Sequence, residues 1–294
     1  MKRTMIVLLA VFLSLHCSAQ QDSLLVMFWN VENFFDCKAD GAGDSDAEFS
    51  SSGMRHWNRK RFQAKCNSIS KIIFKVADGY GRLPDVVGFA EVENGYVMKQ
   101  LVMSTSLRKI DYNIVHYDSP DHRGIDCALL YRRSTFGFRK SEAKHLYDSL
   151  GNVMATRDIL LAEGDSLAVL VNHHPSKVGG GSGTTRNLAM ERMNEICDSL
   201  GNAGCKRVLA VGDFNDALWP SEGSGTIKYN GKWEKIDGYF ARGFRKVGER
   251  IFDDPLLLEK DSAFGGTKPR RTYSGPRYLG GTSDHLPIVL MVYF

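Results

Sequence analysis

The stretch GGTSDHLPIVLMVYF, from Gly280 to Phe294, places an acidic and titrating pair, Asp284 and His285, directly before an apolar run. The run itself predicts a buried strand. A charged pair at the start of a single strand is usually a solvated turn. It predicts a functional site only where other strands deliver matching groups to the same place.

Several other apolar runs meet polar groups of this kind. The strand-like run SLLVMFWN ends at Asn30, PDVVGFAE ends at Glu91, and SLAVLVNHH reaches His173. KRVLAVGD ends at Asp213, and Asn215 follows two residues later. Functional groups held at strand ends, above a rigid scaffold, form a common type of active site. The recurrence therefore predicts one shared site at the strand ends.

The spacing of apolar residues in the other segments predicts which kind of β-sheet the protein contains. NRKRFQAKCNSISKIIFKVADG and TTRNLAMERMNEICDSLG have apolar residues at helical spacing, with predicted ends at Gly79 and Gly201. YNIVHYD, IDCALLYRR and KIDGYF predict further strands. Because several strands follow one another without a helix between them, the pattern favours an α/β protein with mixed sheets over a strict β-α repeat.

The N-terminal segment has the features of a secretory signal. Lys2 and Arg3 precede the apolar run Met5–Leu15, which is too short to cross a bilayer. Small residues follow this run, as expected before a cleavage site. We therefore predict a signal peptide over residues 1–19 and export of the protein, to the periplasm or out of the cell.

A lipid anchor at Cys17 is the alternative, and the bulky His16 before it disfavours that alternative. Residues 20–294 have no second long apolar stretch and no linker or repeat, so they predict a single domain without a transmembrane segment. Nothing in the pattern indicates an oligomeric state.

Charge and cysteine content exclude some functions. The formal net charge of +4 falls to +2 without the signal, which removes two cations and no anion. This charge is too low to imply nucleic-acid binding by itself, and it does not exclude a nuclease that acts on one strand. The cysteines lack the spacing of a zinc knuckle. The acidic stretch DCKADGAGDSDAEFSSSG lacks the spacing of a calcium loop and predicts a solvated loop.

The donor types at the strand ends indicate a chemistry. Asn, Asp and Glu offer hard oxygen atoms that suit Mg²⁺, with Mn²⁺ or Ca²⁺ as alternatives. The two histidine motifs add groups that transfer protons or stabilise charge. A divalent metal combined with carboxylates and imidazoles suits phosphoester hydrolysis.

The motifs WNVENFFD, GFAEVEN, RGIDCALLY, VNHHPS, GDFND and SDHLP occur in this order from Asn30 to His285. In this they resemble the endonuclease/exonuclease/phosphatase superfamily, which has the DNase I-like fold. The run GTKPRRTYSGPRYLGGTSDHLP resembles its exported bacterial branch. The resemblance implies a four-layer α/β sandwich, in which two mixed β-sheets lie face to face with helices outside.

The resemblance also implies a metal site formed by Asn30, Glu91 and Asp284, with Glu91 as the principal ligand. Glu93 is the competing carboxylate in the same motif. The resemblance implies Glu91 as the principal ligand, so we leave Glu93 out of the metal site.

Catalytic roles follow by the same resemblance for His173, Asp213, Asn215, Asp237 and His285. His173 would contact phosphate, although the adjacent His174 is an alternative. Asp237 would hold one ring nitrogen of His285. Asp213 and His285 are both candidates for the general base, and the sequence leaves that choice open.

The sequence indicates the substrate only by class. Arg123 resembles a contact to the substrate phosphate, and the alternative is a surface arginine at a turn. The basic and aromatic stretch 268–281 could bind phosphates and stack on bases, or could be a structural loop. We expect a phosphodiesterase or nuclease. The alternatives are a phosphatase, a phospholipid or sugar-phosphate phosphodiesterase, and a secreted binding protein that has lost catalysis.

Overall fold

The computed structural model describes residues 22–41, 43–165, 167–176, 183–219 and 223–294. The predicted signal peptide, residues 1–19, lies outside the described residues, and export therefore stays a prediction. None of the described helices is long and apolar enough to cross a membrane.

The first sheet contains the N-terminal and C-terminal strands of the described chain. Its strands are β1 (Ser23–Phe34), β2 (Val86–Val92), β3 (Tyr112–His116), β4 (Asp126–Arg132), β12 (Lys246–Ile251) and β17 (Ile288–Tyr293). They are ordered β12-β17-β1-β2-β4-β3. The β1–β2 pair is parallel and the other pairs are antiparallel, so the sheet is mixed.

The second sheet comes from the middle of the chain. Its strands are β5 (Phe138–Lys144), β6 (Ile159–Gly164), β7 (Ala168–His173), β8 (Val208–Asp213) and β11 (Asp237–Arg242). They are ordered β11-β8-β7-β6-β5. Only the β7–β8 pair is parallel, so this sheet is mixed as well.

Helices and short hairpins complete the chain. The helices are α1 (Arg59–Tyr80), α2 (Gly95–Met103), α3 (Arg133–Phe136) and α4 (Gly183–Asn202), with 3₁₀ turns at Ser106–Lys109 and Pro255–Leu257. The hairpins pair β9 (Ile227–Tyr229) with β10 (Lys232–Glu234), β13 (Leu258–Lys260) with β14 (Thr267–Pro269), and β15 (Tyr273–Ser274) with β16 (Arg277–Tyr278).

Apolar side chains on the two inner sheet faces form one shared core. Phe28 and Leu290 of the first sheet pack with Val171 and Val211 of the second. Helices α1 and α2 cover the outer face of the first sheet, and α4 covers the outer face of the second. The order of layers is helix, sheet, sheet, helix, which confirms the predicted four-layer fold class.

The first long helix ends later than predicted. Asn58 caps its N-terminus by accepting a hydrogen bond from the Arg61 backbone N–H, as helix caps commonly do. The predicted end at Gly79 was wrong, because the left-handed turn lies at Gly81, where φ is 67°. The predicted end of α4 at Gly201 was early by one residue.

The directions of the strands decide where the polar segments identified in the sequence lie. Parallel neighbours end at the same edge of a sheet, and an antiparallel neighbour begins there. Strands β1 and β2 therefore end where β17 begins, and β7 and β8 end where β11 begins. The polar groups that follow or begin these strands are thereby gathered at one edge of each sheet.

The contact between the sheets leaves no room at Gly88 of β2. A Cβ atom added there would lie 3.1 Å from Val171 and 3.3 Å from Phe28. We expect Gly88→Val to lower the free energy of unfolding by about 1–3 kcal/mol, because it overpacks the shared core. Urea unfolding measures this change. Gly79→Ala is the control, since nothing lies within 4 Å of that position, and an equal loss in both variants would contradict the close packing.

Candidate active site

A hydrogen bond joins the two sheets at the edge where the predicted site residues lie. Asn30 at the end of its paired β1 segment donates from Nδ2 to Oδ2 of Asp213 in β8, over 3.0 Å. Asn30 and Asp213 are each only 1% exposed. The Oδ1 atom of Asn30 accepts the backbone N–H of Glu32. The amide is therefore held in a fixed orientation between the sheets.

His285 lies directly beside this bond. Its Nδ1 is 2.8 Å from Oδ2 of Asp237, and its Nε2 is 3.9 Å from Oδ2 of Asp213. Asp237 pairs with Asp213 across the β11–β8 ladder. The Trp29 indole donates to the backbone carbonyl of His285 over 2.9 Å, which fixes the start of the last strand. The structure thus brings together Asp213, Asp237 and His285, as the sequence predicted.

The two adjacent histidines point in different directions. His173 Nε2 lies 3.7 Å from Asp213 Oδ2, and its buried Nδ1 has no hydrogen-bond partner within the described residues. The ring of His174 instead packs edge-on against Phe214, with ring centroids 4.9 Å apart. Of the two, His173 is therefore the histidine that enters the site.

Asn215 closes the turn after β8. Its backbone N–H donates to Asp213 Oδ1 over 2.9 Å, and its side-chain Nδ2 donates to the His174 carbonyl over 2.9 Å. The residue has φ of 50°, a left-handed conformation that asparagine tolerates better than most residues. This strained turn holds the amide of Asn215 at the same edge.

Glu91 is also held in a left-handed conformation, with φ of 62°. Its Oε2 accepts the Asn33 backbone N–H over 2.7 Å and lies 3.4 Å from a guanidinium nitrogen of Arg123. Its Oε1 takes part in no hydrogen bond with the described residues. Strained backbone of this kind is concentrated at functional sites. Arg123 lies in the turn before Gly124, and its partly exposed side chain reaches Glu91.

Asp284, the third residue of the predicted metal site, is held by an ion pair with an arginine. Its Oδ2 lies 3.0 Å from Arg271, and Arg271 also donates to the buried Glu32 over 3.0 and 3.1 Å. Glu32 accepts the Thr272 backbone N–H over 2.7 Å as well. The loop before β17 is thus tied to the end of β1 by charge-assisted hydrogen bonds, which are stronger than neutral ones.

The buried acids and histidines at this edge are strongly perturbed. Burial and repulsion from Asp237 raise the pKa of Asp213 to about 7. Burial alone would lower the pKa of His285, but Asp237, Asp213 and Asp284 together raise it well above its ordinary value. His285 is therefore protonated at neutral pH, and Asp213 titrates near neutrality. Clustered perturbations of this kind are typical of functional sites.

The pKa values of the other titrating groups at this edge are lowered. Burial, followed by the nearby Arg157 and Arg123, lowers the pKa of His173 well below its ordinary value. Burial and Arg157 lower the pKa of His174 to about 3. Burial alone would raise the pKa of Glu91, but Arg123 and the Asn33 backbone N–H lower it overall. Both histidines are therefore neutral and Glu91 is ionised.

These residues fit a hard divalent cation. Glu91 is ionised and keeps one oxygen outside any hydrogen bond with the described residues, while Asn30 and Asp284 add further oxygen atoms. Asp213, Asp237 and His285 also have ligand atoms within 4.8 Å of one another. In that group the Asp237–His285 hydrogen bond already occupies one atom of each residue. Glu91 therefore offers the freer donor.

Several residues that support the site have no role predicted from the sequence. Glu32 lies inside the WNVEN motif, and Lys65 donates to its backbone carbonyl and to Thr272. Arg157 is buried, donates to the His174 carbonyl over 2.7 Å and pairs with Asp121. The WNVEN motif could have drawn attention to Glu32. Lys65 and Arg157 lie in stretches with no such signal.

The basic and aromatic stretch 268–281 is mainly structural. Tyr273 is buried against Trp57 and Phe49, and Tyr278 packs on Tyr273. The buried ring of Tyr273 is therefore not free to stack on a base, and Arg61 covers a face of the partly exposed Tyr278 ring. Arg271 is the member of this stretch that reaches the site.

Comparisons with known proteins agree with this architecture. The sequence model of the endonuclease/exonuclease/phosphatase family matches residues 25–220 and 217–293. No curated protein sequence matches significantly. The human Nocturnin catalytic domain with bound sulfate has a TM-score of 0.55 at 15% identity, over 93% of this chain and 95% of that one.

Two further solved structures are similar. TDP2 of D. rerio, complexed with a single-strand DNA product, has a TM-score of 0.53 at 15% identity, over 93% of this chain and 100% of that one. A mannosyl-6-phosphatase of Bacteroides thetaiotaomicron has a TM-score of 0.54 at 14% identity, over 92% of this chain and 100% of that one. At these identities the likeness is one of fold.

The neutral, buried His174 makes the protein sensitive to acid. Its pKa is about 3 in the folded state against an ordinary 6.5. Between these values the unfolded chain binds a proton that the folded chain excludes, so stability is full above pH 6.5 and falls as the pH is lowered. We expect His174→Gln to reduce this slope by up to about 1.4 kcal/mol per pH unit.

Urea unfolding at pH 7.5, 5.5 and 4.5 measures the slope. His122→Gln, on an exposed loop, serves as the control. An unchanged slope in the His174 variant would show that its ring is not the group that resists protonation.

Proposed function

The chain belongs to the endonuclease/exonuclease/phosphatase family of phosphoester hydrolases, and we propose that it cleaves phosphodiesters, those of nucleic acid first, with Mg²⁺ as its metal. The observation that carries this proposal is the Asn30–Asp213 hydrogen bond. It sets an acid with a pKa of about 7 beside the protonated His285.

Glu91 is the principal residue that would hold the metal, with Asn30 and Asp284 as further oxygen donors. A divalent cation at this place supplies charge neutralisation at the phosphate oxygens and polarises the phosphorus centre. Among the divalent cations, Mg²⁺ fits carboxylate and amide oxygens without thiolates, and Mn²⁺ or Ca²⁺ are alternatives. Arg271 holds Asp284, and Arg123 keeps Glu91 ionised.

Asp213 is placed to receive the proton of an attacking water. Its pKa of about 7 matches the working range of a general base at neutral pH. His285 already carries a proton, because the carboxylates around it stabilise the imidazolium. We therefore assign the base role to Asp213. Nε2 of His285 is a donor that stabilises charge on the phosphate or protonates the leaving oxygen.

His173 and Asn215 complete the contacts to phosphate. The Nδ1 atom of His173 is buried without a partner within the described chain, and a buried polar atom of this kind is costly unless a ligand satisfies it. Asn215 is held in place because its backbone N–H donates to Asp213. Asp237 holds Nδ1 of His285 and so sets the direction in which Nε2 donates.

A small pocket beside the site presents two arginines. It has a volume of about 90 Å³, and Asn33, Arg55, Arg271 and Tyr273 are among the residues that line it. Both arginines are paired with carboxylates, so the pocket does not separate a diester from a monoester. Among the similar structures, D. rerio TDP2 holds a single-strand DNA product, whereas the Bacteroides relative is a phosphatase. A monoester phosphatase is therefore the second candidate.

Glu91→Gln should abolish hydrolysis while leaving the fold intact, because it removes the charge that holds the metal and keeps the shape of the side chain. The assay is cleavage of plasmid DNA, RNA, a chromogenic phosphodiester and a chromogenic phosphomonoester, with and without Mg²⁺ or Mn²⁺. We expect a loss of at least about 10³-fold, as for removal of a main electrostatic catalytic element. Glu142→Gln on the exposed β5 strand is the matched control.

The substrates separate the candidates. Metal-dependent cleavage of DNA or RNA supports the nuclease, whereas cleavage of the monoester alone supports the phosphatase. Unchanged activity in Glu91→Gln would remove Glu91 from the metal site. A folded protein that hydrolyses none of these substrates would support a binding protein without catalysis.

A further inference from the structure

A second cavity of about 350 Å³ lies next to the loop that carries Arg123. Gly41, Asp46, Glu93, Asp118 and Asp126 are among the residues that line it. Glu93 follows Glu91 by two residues, but it turns away from the hydrolytic site to accept the backbone N–H of Asp36 over 2.6 Å. This cavity is therefore separate from the Asn30–Asp213 bond and its neighbours.

Two buried carboxylates at this cavity each have one oxygen atom that no other group of the described chain satisfies. Asp46 is 5% exposed and Glu93 is 7% exposed. One oxygen of each accepts a backbone N–H, from Gly41 to Asp46 and from Asp36 to Glu93. Oδ1 of Asp46 and Oε1 of Glu93 have no hydrogen-bond partner among the other described residues, and without a cation a proton shared between the two side chains joins them. When both carboxylates are ionised, these buried oxygens are costly without a partner.

The space between these two oxygens is kept open by a glycine. A Cβ atom at Gly41 would lie 3.2 Å from Oδ1 of Asp46 and 3.2 Å from Oε1 of Glu93. The two oxygens thus converge on one small volume that any larger residue would fill. Within the described residues, no lysine, arginine or histidine forms an ion pair with either carboxylate.

We propose that this cavity is a binding site for a hard divalent cation of the Ca²⁺ type, ligated by Asp46 Oδ1 and Glu93 Oε1. All the free donors are oxygen atoms, which excludes a preference for zinc on thiolates. Ca²⁺ tolerates irregular geometry and takes waters as further ligands, and the cavity has room for them. The exposed carboxylate of Asp118, which also lines the cavity, adds negative potential.

The cation would position Arg123 through the backbone. Residues 43–46 lie against the Arg123 loop, where the Asp44 N–H donates to the His122 carbonyl over 2.8 Å and the Ser45 N–H lies 3.4 Å from the Arg123 carbonyl. A Cβ at Gly43 would lie 2.3 Å from the Arg123 backbone, so the two loops are in direct contact. The cation would fix the loop that holds Arg123 beside Glu91.

This proposed cation site differs from the sequence prediction, which was a solvated loop at DCKADGAGDSDAEFSSSG. The carboxylates of a calcium loop lie at fixed spacing in one segment. Here one ligand comes from that stretch and the other, Glu93, from the end of β2, so the pair has no sequence signature.

Calorimetric titration with Ca²⁺ tests the proposal, with Glu91→Gln as the parent protein so that the hydrolytic site lacks its principal ligand. We expect saturable binding with a dissociation constant on the order of 10⁻⁴ M, as in extracellular calcium modules. At about 100-fold excess over that constant, Ca²⁺ should raise the thermal midpoint by roughly 5–10 °C.

In the same parent, Asp46→Asn and Glu93→Gln should each weaken Ca²⁺ binding at least about tenfold and remove the thermal shift. Asp44→Asn removes an exposed charge from the same loop and should leave both unchanged. Equal binding in all variants would overturn the proposal.

A shared proton between the two carboxylates is the competing explanation. In that case Glu93→Gln keeps its stability and Ca²⁺ shifts nothing in the parent protein, which would also overturn the proposal. Because binding is measured as heat in a Glu91 variant, the result does not depend on whether the protein hydrolyses phosphodiesters.

Discussion

The hydrogen bond from Asn30 to Asp213 is the contact on which the site depends. It is the point where the first sheet and the second sheet meet through polar atoms at a buried edge. The shared apolar core between the sheets fixes their separation, and the strand directions decide which residues reach this edge. Packing and register therefore place Asp213 within reach of His173 and His285.

Electrostatic interactions then give these groups different protonation states. Three carboxylates surround His285 and hold a proton on it, while burial and Asp237 raise the pKa of Asp213 to about 7. His173 is driven neutral by burial and the nearby arginines. The ends of these strands thus bring together a cationic donor, an acid that titrates near neutrality and a neutral imidazole.

The sequence predicted the parts of this arrangement that are local. Polar groups at strand ends pointed to Asn30, Glu91 and Asp213, since strand periodicity and motif position are visible in one dimension. It did not predict β5, whose polar sequence FRKSEAK lies at a sheet edge. The Glu32–Arg271 contact joins residues 239 positions apart, and no local pattern encodes it. Tertiary contacts decide such pairs.

Diffraction from crystals grown with Mn²⁺ and inorganic phosphate, with the manganese located by its anomalous signal, would show directly which residues hold the metal and the phosphate. We predict a manganese peak at the Glu91 carboxylate and a phosphate between His173 and His285. A manganese peak among Asp213, Asp237 and His285, with Glu91 free of metal, would contradict the account. In that case Asp213 would be a ligand and could not serve as the base.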